Sequence, residues 1–384
     1  MLRAVGPSPR LRGPEGDGAV AQLVRAPACH VGGRGFEPRP LRHPISVNQP
    51  RPHRRGFFVI SAANSAIADG SGACLHPRVS RTPHDRILKG VSRSFFLSLR
   101  LLPAPMRPAA SLGYLLARTS DTLADTAGAG VSARLDALRD FAHAVATHGP
   151  PPAWPGALIA AVTDAPELEL LSHAAALIAW LRQLPEGESA LVREVLAIIS
   201  SGQQLDLQRF ATATRERPVA LPDAATLEDY AWRVAGCVGE FWTKLGLLTL
   251  GDAFSRNSAA ILLPQASAYG KALQLVNILR DLPADLAVGR CYLPVPDPLD
   301  RDDLLAAHGD WLASTTPWLA QGRDYAASLP LRRLRAASLL PALLASATLE
   351  RLRGASWATL QARVKIPRRR VYALLLRAIL SPPC

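Results

Sequence analysis

From about residue 86 onward, apolar residues recur every three or four positions in long stretches. That is the period of a helix with one face turned inward. "ILKGVSRSFFLSLRLLP" carries the pattern first. "PAPMRPAASLGYLLARTSDTLADT" then opens on prolines, which suit a helix start because first-turn N–H groups have no partner within the helix. Further stretches lie at about 131–147, 167–184, 188–211, 226–250, 258–283, 312–328, 331–353 and 356–380. Pro and Gly punctuate them at "HGPPPAWPG", "LPEGES", "RERPVALPD" and "LPVPDPLD". Strand-like alternation bounded by turns is absent. The expected fold class is all-α: a single helical domain over 86–355, without internal repeats, and a C-terminal helix over 356–384.

Residues 1–85 lack this period, and about a quarter of them are Pro or Gly. Such a segment has too little apolar surface to offset the entropy of ordering it, and disorder is expected. A second expectation concerns its origin. "VAQLVRA" (Val20 to Ala26) back-translates to GTAGCTCAGTTGGTTAGAGC and "GFEP" (Gly35 to Pro38) to GGGTTCGAACCC. These resemble the D-arm and T-arm of a transfer-RNA gene at about the right separation. The segment is thus read as translation through a neighbouring tRNA gene from a start codon placed too far upstream, with a natural disordered tail as the alternative.

Composition narrows the function classes. Of the 384 residues 48% are hydrophobic and only 6% aromatic, which favours helices over a sandwich or barrel. The net charge of +13 suggests an anionic partner, but residues 1–85 carry +7 of it and the rest only +6. No compact basic stripe with interleaved aromatics occurs, so no nucleic-acid partner is expected. The five cysteines are scattered without a CxxC pair, which argues against a disulfide framework or zinc site and fits a reducing, cytoplasmic location. No run of 18 apolar residues indicates a spanning helix. "RRGFFVISAANSAIADGSGA" lies too far inside the chain, and is too weakly apolar, for a signal peptide.

Two acidic pairs change the picture. In "ARTSDTLADT", Asp121 and Asp125 stand four apart in helix-friendly sequence, where like charges repel. Either the pair is a solvated helix edge or a cation sits between the carboxylates. "YGKALQLVNILRDLPADLAVGRCYLP" holds a second pair, Asp281 and Asp285, with Gln274 and Asn277 on the same helix face. A stripe of amides and carboxylates cut into apolar helix is costly to bury unless something binds it. Each pair has an arginine nearby, Arg118 and Arg280. Carboxylate oxygens suit Mg²⁺, which substrate phosphates and water complete. Two facing pairs would neutralise a departing diphosphate, forked arginine donors would hold it, and apolar helix walls would shelter a carbocation from water.

Five blocks in order resemble the squalene/phytoene synthase family of head-to-head prenyltransferases: "SRSF" (92–95), "YLLARTSDTLAD" (114–125), "YAWRVAGCVGE" (230–240), "QLVNILRDLPAD" (274–285) and "GRCYLP" (289–294). The resemblance implies an all-α isoprenoid synthase fold around a central cavity, with both acidic motifs facing across it, prenyl diphosphate substrates and Mg²⁺. It makes Asp121, Asp125, Asp281 and Asp285, with Asn277 beside them, the metal ligands. Arg93 and Ser94 resemble flap residues that touch diphosphate, and Arg118, Gln274, Arg280 and Arg290 match polar residues around the phosphates. Tyr114 resembles a cavity tyrosine one turn above the first motif. Tyr230 matches the tyrosine that assists proton or cation handling, and the resemblance implies Tyr325 as a further phosphate-side hydroxyl. Taken singly, several have ordinary readings: Tyr230 as packing, Ser94 as a helix cap, Arg118 and Arg280 as ion-pair partners, Gly236 and Gly239 as permitting close helix packing. Asp206 in "SGQQLDLQRF" is read as structural.

Two departures stand out. Pro283 lies inside the second motif, where a bend is expected, and Ala124 and Ala284 precede the last aspartate of each motif, where Ala284 replaces a glutamate many relatives carry. "RTSDTLAD" and "LPALLASATL" (340–349) resemble squalene synthases most, implying two farnesyl diphosphates condensing through a cyclopropyl diphosphate to squalene, with NADPH as reductant. Phytoene from geranylgeranyl diphosphate, and dehydrosqualene, are the alternatives. All four aspartates are present, against a non-catalytic relative, and "SRSF" and "VAGCVGE" argue against a cyclising terpene synthase. A monomer is expected. "VKIPRRRVYALLLRAILSPPC" joins a basic cluster to a short apolar helix, suiting either peripheral contact with an anionic membrane surface or packing on the body.

Overall fold

The helix Arg107–Asp125 buries 16 of its 19 residues, so it reads as a helix enclosed on all sides rather than a surface one. Its polar run is tolerated because the hydroxyls bond back to the helix's own backbone: Thr119 to Leu115 O (3.0 Å), Ser120 to Ala117 O (2.8 Å) and Thr122 to Arg118 O (3.1 Å). The structure is a computed structural model that describes residues 83–92, 95–126 and 128–381. The expectations for residues 1–82, and those for Arg93 and Ser94, lie outside the described residues.

The described chain is helical almost throughout. In order come α1 (Pro83–Ser92), α2 (Phe95–Leu101), α3 (Arg107–Asp125), α4 (Val131–Thr147), α5 (Gly156–Ala161), α6 (Ala165–Ser172), α7 (Ala174–Gln183) and α8 (Glu186–Arg209). After them come α9 (Ala224–Ala231), α10 (Cys237–Leu250), α11 (Ala259–Leu286), α12 (Arg301–Ala327), α13 (Arg332–Leu352), α14 (Trp357–Gln361) and α15 (Arg368–Leu380). The expected all-α class holds. Among the described residues the only departure is a two-residue parallel pair, β1 (Val219–Ala220) with β2 (Arg290–Cys291).

Two apolar clusters form the core. One gathers α3, α4, α8 and α10 around Leu115, Leu138, Ile199 and Leu245. The other gathers α11, α12 and α13 around Leu275, Leu304 and Leu349, and takes Leu374 and Ala378 from α15. Between α9 and α10 the chain makes one π-helical turn, Trp232–Gly236, in the block that contains Tyr230. There α11 approaches backbone to backbone: a Cβ on Gly270 would lie 2.3 Å from Ala235 O, and one on Gly239 would lie 2.1 Å from Ala266 O. Gly289, at φ +84°, turns the chain out of α11 into β2 and so delivers Arg290. Despite Pro283, α11 continues to Leu286. The proline therefore does not end the helix within the second motif.

Candidate active site

Asp121 and Asp125 lie one turn apart at the end of α3, on the side facing α8. Gln203 Nε2 donates to Asp121 Oδ1 at 2.7 Å, and Arg118 Nη1 lies 3.5 Å from Asp121 Oδ2. Arg118 also pairs with Glu167 of α6, a partner with no signal in the sequence pattern. Burial opposes the Arg118 charge, but Asp121, then Tyr114, Glu167 and Asp125 outweigh it and hold its pKa above the usual value.

Arg134 of α4 caps the end of α3, donating Nη1 to Ala124 O at 2.9 Å. Burial and then the neighbouring Arg290 push its pKa down, while Asp125 and Asp206 oppose the shift. Arg290 Nη1 donates to Asp206 Oδ2 at 3.1 Å, and the Tyr292 hydroxyl donates to Asp206 Oδ1. Burial works against Arg290, yet Tyr292, Asp206 and Asp125 raise its pKa. The Tyr292 ring packs, tilted, between Phe210 at 5.0 Å and Tyr230 at 4.9 Å. Asp121, Asp125, Gln203, Asp206, Tyr230, Gln274 and Arg290 thereby line one polar cleft.

The expected residues divide into groups. Asp121, Asp125, Tyr230, Gln274 and Arg290 share the cleft, and Arg118 backs it. Asn277 stands one turn along α11 from Gln274, and its buried Oδ1 accepts no hydrogen bond among the described residues. Asp281 does not line this cleft. It receives Arg280 Nε at 3.0 Å and Nη2 at 2.6 Å and faces a second opening walled by Pro283, Leu360 and Arg363. Asp285 is buried on the same helix.

Tyr114 lines an apolar cavity and donates to Val91 O at 3.2 Å. Tyr325 corrects the expectation of a phosphate-side hydroxyl: it lines a second apolar cavity, with its Oη 2.8 Å from Thr243 Oγ1, and burial pushes its pKa up. The motif blocks do not single out Gln203, Arg134 or Tyr292 as site residues, and Asp206, expected as structural, lines the cleft as well as holding Arg290. Polar residues three apart in α8, below the apolar Ile199, are the available signal for Gln203 and Asp206.

The polar cleft adjoins apolar space. Ile199 belongs both to the cleft and to the cavity of Tyr114, while Val238 and Trp242 wall that cavity and the one holding Tyr325. Asp121 and Asp125 offer the hard oxygen donors that Mg²⁺ takes through one or two carboxylates, the remainder coming from water and phosphate. Among the described residues no three His, Cys, Asp or Glu side chains converge into a closed cage. The donor set fits an open site of this kind.

The squalene/phytoene synthase family profile matches residues 88–370. The chain belongs to the squalene/phytoene synthase family. It is accordingly a prenyltransferase. A presqualene diphosphate synthase of Zymomonas mobilis is 31% identical over 287 residues, covering 71% of this chain and 84% of that protein. A second, of Rhodopseudomonas palustris, is 29% identical over 56% of this chain and 64% of its own length. A bifunctional lycopene cyclase/phytoene synthase of Colletotrichum graminicola is 32% identical over 53% of this chain, which spans only 32% of that protein. Among solved structures, TcSQS in complex with the ligand BPH1237 superposes with a TM-score of 0.64 at 22% identity, covering 77% of this chain and 85% of that one, a likeness of fold. For this family member the match runs past the expected domain end at residue 355 into α15.

Proposed function

We propose that the chain joins two farnesyl diphosphates head to head and releases presqualene diphosphate. The observation that carries this is a charged cleft, lined by Asp121, Asp125 and Arg290, sharing a wall residue with consecutive apolar cavities. A diphosphate head and an apolar tail need that adjacency. The choice of product follows the Zymomonas mobilis relative, named a presqualene diphosphate synthase.

Arg290 and Arg118 donate to phosphate oxygens, and Asp206 and Glu167 hold those guanidiniums in place. Asn277, Asp281 and Asp285 are assigned the second oxygen-donor set on the strength of the family motif, with Asp281 reaching it from the opening walled by Pro283, Leu360 and Arg363. Mg²⁺, when bound through these carboxylates, supplies charge neutralisation for the departing diphosphate. As the first substrate loses diphosphate, its allylic carbon joins the double bond of the second, and loss of one proton closes the cyclopropane. Tyr230, at the cleft wall and packed against Tyr292, receives that proton for transfer to the departing diphosphate.

Radiolabelled farnesyl diphosphate with Mg²⁺, with and without NADPH, is the test. Presqualene diphosphate is expected to accumulate equally in both. Squalene formed only with NADPH would show that the chain also catalyses the reductive second half. Phytoene from geranylgeranyl diphosphate, with no product from farnesyl diphosphate, would overturn the substrate.

Peripheral membrane contact is part of the same reading. Among the described residues no helix is long and apolar enough to cross a membrane. α15 packs Leu374 and Ala378 inward but leaves Tyr372 (44%), Leu376 (56%) and Leu380 (59%) exposed one turn apart. Residues 351–384 hold eight Arg or Lys and no Asp or Glu. An apolar row on a segment rich in cations suits an anionic bilayer surface. The double variant Leu376→Glu/Leu380→Glu is expected to lose flotation with phosphatidylglycerol vesicles, and unchanged flotation would overturn this contact.

A further inference from the structure

Pro283 lies inside α11, between Asp281 and Asp285. It has no N–H to donate to the carbonyl four residues earlier, that of Leu279, and its ring crowds that carbonyl aside. Leu279 is fully buried, so water does not replace the missing donor, and a buried carbonyl without a partner is costly. The carbonyl is satisfied from another helix. His308 of α12 reaches across the α11–α12 interface and places Nε2 3.2 Å from Leu279 O. A carbonyl only accepts, so Nε2 carries the hydrogen. His308 is itself buried, and burial lowers its pKa, which fits a neutral ring with one N–H to give.

We infer that His308 is a positioning residue for the second acidic pair: its ring N–H stands in for the N–H that Pro283 lacks and keeps Asp281 and Asp285 in helical register. The functional half of this inference rests on reading that pair as part of the diphosphate site. His308 sits in "AAHGD", outside every motif block, so nothing local in the sequence points to it. The bond spans 29 residues and joins the two longest helices among the described residues. Its donor is an aromatic side chain with two torsions, which fixes the carbonyl more firmly than water would. The geometry also accounts for α11 continuing to Leu286 through a proline.

The test is a rescue in the full chain, comparing the parent with His308→Leu, Pro283→Ala and the double variant. His308→Leu removes the donor. Pro283→Ala restores a backbone N–H that bonds Leu279 O by itself. Without metal, His308→Leu is expected to speed hydrogen exchange at the amides of residues 284–287 by roughly tenfold, the scale of one lost buried hydrogen bond. The double variant is expected to return to within about twofold of the parent. The Mg²⁺ concentration giving half-maximal turnover is expected to rise in His308→Leu and recover in the double variant.

A ring needed only for its volume predicts no rescue, so a double variant as perturbed as His308→Leu overturns the inference. Unchanged exchange in His308→Leu overturns it as well. If His308→Leu alone does not fold, recovery of folding in the double variant supports the inference. His308→Gln, which keeps a donor near the Nε2 position, then serves as the second probe, and perturbation beyond about threefold counts against the inference. Asp281→Asn separates the two readings. If it leaves the Mg²⁺ dependence unmoved while the exchange rescue holds, the diphosphate reading of the second pair fails and the His308–Leu279 device stands.

Discussion

Asp125→Asn is expected to lower kcat/KM by roughly 10²–10³-fold, the usual cost of removing one preorganised electrostatic group from an active site. Its carboxylate lines the polar cleft and bears on three guanidiniums: it helps to raise the pKa of Arg118 and Arg290 and opposes the downward shift of Arg134. Asparagine keeps the shape and removes the charge, so cation binding weakens and the balance among these arginines changes. The fold should survive. Arg118 retains Asp121 and Glu167, Arg290 retains Asp206, and Arg134 retains the Ala124 carbonyl. Steady-state turnover of farnesyl diphosphate alongside a circular-dichroism melt checks this. A loss below about tenfold with an unchanged melt would remove Asp125 from the diphosphate chemistry.

The largest expected effect on stability comes from Gly270→Ala. The added Cβ would lie 2.3 Å from Ala235 O, 2.8 Å from Ala235 C and 2.8 Å from Gly236 Cα, all backbone atoms with no rotamer to yield. The π-turn and α11 must separate, and overpacking of this kind costs about 1–3 kcal/mol or more. For a domain of this size that corresponds to a fall in Tm of roughly 2–5 °C. Activity should fall too, because the strained contact joins the block of Tyr230 to the helix of Gln274. Gly309→Ala is the control: its Cβ would meet nothing within 4 Å, and removing a mid-helix glycine should leave Tm unchanged or slightly raised. Equal melts for the two variants would show that the close approach is not needed.

Helix extents are most legible where apolar spacing is regular and the ends are punctuated. The stretch 131–147 coincides with α4, and 331–353 with α13 to within a residue at each end. The apolar period of α12 begins only at 312, whereas the helix starts at Arg301, because "RDDLLAAHGD" is polar along its outer side while Leu304 and His308 are buried. Asp300 caps this start, accepting from the N–H groups of Asp302 and Asp303. The stretch 356–380 is broken where Arg363 adopts φ +61° and Pro367 precedes α15. The π-turn and the β1–β2 pair leave no readable period, since each spans only a few residues and depends on what packs against it.

The sequence by itself determined the fold class, the order of the main helices and the two DxxxD pairs, because helical period and four-residue spacing are local properties of the chain. The family's motif blocks likewise marked Tyr230, Gln274 and Arg290. Tertiary structure alone decided which of these residues share a cleft. Asp206 meets Arg290 across 84 residues and Tyr292 across 86, while Gln203 meets Asp121 across 82. It also placed Tyr325 among apolar residues and paired His308 with Leu279. Such pairings follow from how helices pack, and no periodicity along one helix records which side chain of a distant helix will satisfy a buried carboxylate or carbonyl.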